Sequence, residues 1–163
     1  MALPAVVAAA VDSWAAFYGD HQMVSVTVRS LHLAGILVGG GTALVADRRA
    51  LAASRAGAEE RARARGDLAA AHRVVVPALA VVVATGLLMA ASDTDTFLNS
   101  RLYWSKMGLV GLLLLNGLGL VAAERAVAGE RPKAWRWLGV TSAASLLLWL
   151  IILFFGVWLT AAA

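Results

Sequence analysis

Residues 24–46 read VSVTVRSLHLAGILVGGGTALVA, and the charged run Asp47, Arg48, Arg49 follows at once. As a helix rising 1.5 Å per residue, such a stretch reaches roughly 34 Å, enough to cross a hydrocarbon core of about 30 Å. Three more segments have the length and apolarity of a span, at residues 74–91, 102–123 and 137–159. Between them lie charge clusters or turn formers such as Asp93, Asp95, Asn99, Gly129 and Pro132. No apolar/polar alternation competes with helix. The expected fold is an all-α, integral membrane four-helix bundle occupying the chain as a single transmembrane domain.

Composition agrees with that reading. Of the 163 residues, 61% are apolar and 15% charged, and the mean hydropathy is +0.77. One small soluble core cannot absorb so much apolar surface, which excludes a soluble enzyme. There is no cysteine, so disulfide frameworks, thiolate zinc sites, iron–sulfur clusters and cysteine nucleophiles are excluded together. The net charge of +4 reflects topology rather than nucleic-acid binding.

Arg48, Arg49, Arg55, Arg61, Arg63, Arg65 and Arg73 follow the first span, and Arg125, Arg131, Lys133 and Arg136 follow the third, so eleven of the fourteen basic residues fall on one side. The positive-inside rule makes that side cytoplasmic, with both termini outside. The Ala/Arg/Glu-rich first loop is expected to extend its flanking helices and to bend near Gly57 or Gly66. Ahead of the first span, Val7, Val11, Trp14 and Tyr18 recur at helical spacing, which predicts a short helix in the outer interface. No positive n-region precedes residues 5–11 and Asp12 interrupts the run, so the segment reads as retained rather than as a signal peptide.

Polar groups in hydrocarbon are costly and mark candidate sites. In the first span Arg29, His32, Gly35, Gly39, Thr42 and Ala46 share one stripe. Gly35 and Gly39 form a small-xxx-small pair that admits a neighbouring helix. His32 lies about 12 Å inside the outer end of its span and Lys106 about 6 Å inside the third, so the two can meet. Bland readings stand beside this one: a snorkelling Lys106, a His32 bonded only to a neighbouring helix, and an Arg29 paired with Asp93 or Asp95. Met23, Met89, Met107 and His21 sit at similar depth or just outside. His72, at the opposite face, is expected to be solvated and too far from His32 to share an iron or metal ion. Thr85, Met89 and Ser92 form a weak polar line, Asn116 is expected to join helices, and the fourth span, the most uniformly apolar, is expected to be the most lipid-exposed. No span contains an embedded carboxylate, which argues against hydrolytic catalysis.

The runs RSLHLAGILVGG at residues 29–40, DRR at 47–49, ATGLL at 84–88 and YWSKMGL at 103–109 resemble the superfamily of four-helix bacterial membrane proteins around the copper-resistance protein CopD, most nearly an uncharacterised branch. That superfamily includes membrane protoporphyrinogen oxidases of the HemJ type, where a first-helix histidine and a third-helix lysine are the functional pair and haem b is bound. His32 and Lys106 occupy the matching places. The chain departs from that pattern at Arg29, where the branch tends to carry an acidic residue, and it lacks further histidines of the oxidase.

Three function classes follow. In the first, the chain is a haem- or metal-binding redox accessory of a larger membrane complex, with His32 as axial ligand and Arg29 and Lys106 pairing with propionates. In the second it is a copper-handling protein of the CopD kind, with His21, Met23, His32 and Met89 as ligands. In the third it is a structural subunit with no cofactor. The implied setting is the bacterial inner membrane, with lipid and other membrane subunits as partners and no nucleic acid. Reporter fusions after Gly57 and after Gly129 should read cytoplasmic and one after Thr96 should not; the reverse pattern would overturn the orientation.

Overall fold

The computed structural model describes residues 5–131 and 133–162, leaving the turn former Pro132 outside the described residues. Helix α1 spans Ala5–Asp20. The first long helix begins as α2, Gln22–Gly35, widens into a π turn over Ile36–Gly40, and continues as α3, Gly41–Ala53. Then follow α4 (Ala58–Ser92), the single-turn α5 (Thr94–Leu98), α6 (Arg101–Ala128) and α7 (Ala134–Ala162). Four helices are long and apolar enough to cross a membrane: Gln22–Ala53, Ala58–Ser92, Arg101–Ala128 and Ala134–Leu159. Their outer surfaces carry large exposed apolar side chains, including Leu37 at 76% and Leu118 at 69%, a distribution suited to lipid rather than water.

The helices overrun the apolar segments, chiefly at the arginine-rich end. Helix α4 begins well before residue 74, and the bend falls at Gly57, the residue before its first turn, while Gly66 stays helical. Glu59 and Glu60 sit in that first turn, favourably placed against the helix dipole. Arg61 reaches back to donate to the carbonyls of Ala53 and Ser54, covering the end of α3, and Arg61 and Arg65 both lie over the Trp135 ring, at 5.2 and 5.8 Å. Part of the basic charge thus does structural duty. At the other end Asp93 accepts from Thr96 N–H, Ser100 accepts from Tyr103 N–H, and Trp104 donates to the Leu98 carbonyl, fixing the tight α4–α6 connection. Helix α1 folds back on α4, where Trp14 Nε1 donates to the Leu88 carbonyl at 2.8 Å.

The four long helices pack in the spatial order second, first, fourth, third: α4 lies on α2 and α3, α3 on α7, and α7 on α6. The contact between first and second spans is very close. A Cβ built on Gly35 would stand 2.7 Å from Val82 Cγ2, and one on Gly39 would stand 2.8 Å from Ala78 Cβ, so only glycine fits. Gly40 is turned onto α7, where a Cβ would stand 3.2 Å from the Trp149 ring. The π turn falls on these glycines, letting one helix present Gly35 and Gly39 to α4 and Gly40 to α7.

The fourth span is not the most exposed. Leu138 and Ser142 are fully buried, with Thr141, Ser145 and Trp149 nearly so, and the second span contributes the least buried surface. The small and polar positions Gly139, Ser142 and Ser145 recur every three residues, which turns a face of α7 inward despite its high apolarity. Asn116 donates to the Thr141 carbonyl at 2.9 Å, joining third and fourth spans as expected.

Candidate functional site

Away from the arginine-rich end, the first span turns His32 onto α4. His32 Nδ1 lies 2.9 Å from Thr85 Oγ1, and Thr85 Oγ1 lies 2.6 Å from the Val81 carbonyl. The carbonyl only accepts, so the single hydroxyl proton of Thr85 points to it and the hydroxyl oxygen accepts from His32. That assigns the imidazole proton to Nδ1 and the lone pair to Nε2. Gly86 makes room for the ring: a Cβ there would stand 3.4 Å from His32 Cε1.

Lys106 is close enough to His32 to interact electrostatically. Its ammonium lies against Gly156 on α7, 3.5 Å from where a Cβ would stand. His32 and Lys106 thus share a layer while packing on different neighbours. Arg29 is exposed and, among the described residues, forms no ion pair with Asp93 or Asp95. His21 hydrogen-bonds the Phe17 carbonyl at 2.9 Å and packs on the Phe17 ring. Met23 is 77% exposed, and Met89 lies on α4 beyond Thr85.

The second polar assembly lies toward the arginine-rich end, and here reading by spans fell short. Asp47 is only 2% exposed, flanked by Ser142 and Ser145 of α7 and within electrostatic reach of His72. His72 is only partly solvated: it pairs with Glu124 at 3.4 Å, with 28% and 23% of the two side chains exposed. Asp47 and Glu124 each stand one residue past a span edge drawn from hydropathy, and the helix that runs on past each edge carries its carboxylate inward. Helical spacing was the available signal, because Asp47 continues the small-residue face of Gly39, Ala43 and Ala50. Among the described residues no three His, Asp or Glu side chains come together as a metal site.

Beside this assembly is a cavity of about 280 Å³, walled by Val75 and Leu79 of α4, Leu113 and Gly117 of α6, Ala43 of α3 and Trp149 of α7, with Asp47, His72 and Ser145 as its polar lining. It exists because α4 and α6 have no packed face of their own along their length. They are joined at the arginine-rich end, where His72 meets Glu124 and Leu68 packs into a cluster with Ala123 and Val127.

A family model described as a family of unknown function, DUF6644, matches residues 9–162. The chain belongs to that family. The match takes in α2 to α7 whole and α1 from residue 9 onward, so both polar assemblies lie inside the family's extent. No curated protein and no solved structure matches the chain.

The His72–Glu124 pair gives a direct check on the second assembly. His72→Leu should destabilise the detergent-solubilised protein by on the order of 1–3 kcal/mol, because it strands a largely buried carboxylate. The double variant His72→Leu/Glu124→Leu should recover most of that loss. Thermal melts of the two variants and the parent decide it, and equal melting points for parent and single variant would show the pair to be inert.

Proposed function

We propose that this protein is a haem-binding accessory subunit of a redox system in the bacterial inner membrane, with His32 as the iron ligand and no catalytic residues of its own. The observation that carries this is the chain from His32 Nδ1–H to Thr85 Oγ1 to the Val81 carbonyl. A ligating histidine characteristically donates its other ring nitrogen to a fixed acceptor, which sets the tautomer and orients the lone pair. His32 has that arrangement already formed, part-buried against α4 in an apolar bundle.

The donor set fits the group in two further respects. Imidazole is an axial ligand for haem iron, and Lys106, in electrostatic range of His32, supplies a positive charge for a propionate. Arg29, one turn toward the end of the helix and exposed, is available to a second. The resemblance to the CopD and HemJ proteins points the same way. Bound haem would supply one-electron chemistry; the chain's residues hold it, fix the ligand's protonation and screen it from water. The eleven-to-three asymmetry of basic residues supports an orientation with both termini outside, which places His32 in the outer half of the membrane.

Protein purified from haem-replete cells should show a Soret band. His32→Ala should abolish it with the melting point little changed, Thr85→Val should weaken haem retention by loosening the ring, and His72→Ala should leave the band intact. A colourless preparation, or a band that survives His32→Ala, would refute the proposal.

A further inference from the structure

Asp47 is the feature the His32 reading leaves unexplained. Glu124 pairs with His72 through Oε2, although its Oε1 has no hydrogen-bond partner among the described residues, and it borders a second cavity that Arg65 and Arg125 also line. Asp47 has in place of such a pair only the hydroxyls of Ser142 and Ser145 beside it and His72 within electrostatic reach. It is almost fully buried and belongs to none of the ion pairs among the described residues. Its Oδ2 atom has no hydrogen-bond partner there, and neither does Ser142 Oγ beside it. A carboxylate so placed calls for one positive charge carrying hydrogen-bond donors.

The cavity states what else that cation must bring. Apart from Asp47, His72 and Ser145 its walls are aliphatic or glycine, closed at one side by Trp149. Val76, Leu114 and Leu118 line it while remaining substantially exposed, so its mouth opens on the apolar outer surface, between second and third spans, and a ligand enters from the bilayer rather than across the arginine-rich end. We propose that this cavity binds a lipophilic primary amine as its ammonium ion, with the apolar body among the aliphatic walls and the head on Asp47. An ammonium offers three donors, matching Asp47 and the adjacent serine hydroxyls, and Trp149 adds an aromatic surface of the kind that attracts cations. The volume suits a bicyclic ring with a one-carbon amine arm.

The test uses the full-length chain in lipid nanodiscs, titrated calorimetrically with 1-naphthylmethylamine and with its neutral isostere 1-naphthylmethanol. The amine should bind saturably and the alcohol roughly tenfold or more weakly, since only the amine makes a charge-assisted bond. Asp47→Asn, which keeps the shape and removes the charge, should cut amine affinity roughly tenfold or more and bring it level with the alcohol. Gly117→Leu grows into open space at the cavity wall, where nothing stands within 4 Å of a Cβ, and should abolish binding of both. Equal binding of amine and alcohol by the parent would mean a neutral lipid-like occupant and overturn the proposal. So would amine uptake that never saturates or that ignores Gly117→Leu. Those comparisons stand even if Asp47→Asn fails to fold, and none depends on haem.

Discussion

The bundle depends on the contact between its first and second spans, where Gly35 and Gly39 meet Val82 and Ala78 with no room for a side chain. Lipid tails are as apolar as leucine, so helices in a membrane are held by fit and by polar contacts rather than by expulsion of water. Glycine supplies the fit. With the backbones this close, His32 lies over Gly86 and reaches Thr85. The π turn at Ile36–Gly40 then swings Gly40 onto Trp149 and Asp47 toward Ser142 and Ser145. The first span becomes the central element, with the second and fourth packed on it and the third held chiefly through the fourth, meeting the second at the arginine-rich end.

That order produces two chemically different regions. In one, a histidine with a fixed proton and a lysine share a layer away from the arginine-rich end. In the other, a carboxylate that forms no ion pair among the described residues borders an apolar cavity. The cavity is the space left when second and third spans, each packed on a different partner, meet only at one end. Polar residues mark both regions, and both are expensive to bury without partners.

Much of this was legible in the residues. The four spans, the N-terminal helix, the Gly35/Gly39 approach and the Asn116 contact all follow from apolar length and helical spacing. What escaped did so for definite reasons. Hydropathy treats an aspartate or glutamate as the end of a span, so Asp47 and Glu124 fall just outside the apolar spans, on helix extensions that carry them inward. The fourth span's high apolarity hid the sparse Gly139, Ser142 and Ser145 line that buries it. His72 beside Arg73 looked solvated because its partner, Glu124, is far away in the chain. The π turn is set by tertiary packing on two neighbours at once, and no local pattern of residues specifies that.

The central claim, that the first span lies between the second and fourth while the second and third stand apart, is tested most directly by disulfide trapping, which a chain free of cysteine allows without background. A Cβ on residue 139 would stand 3.1 Å from Ser54 Cβ, close to the range of a disulfide. Ser54→Cys/Gly139→Cys should therefore cross-link readily in native membranes, while Leu79→Cys/Leu114→Cys, across the cavity, should not. Efficient cross-linking of the 79/114 pair with none at 54/139 would contradict the account.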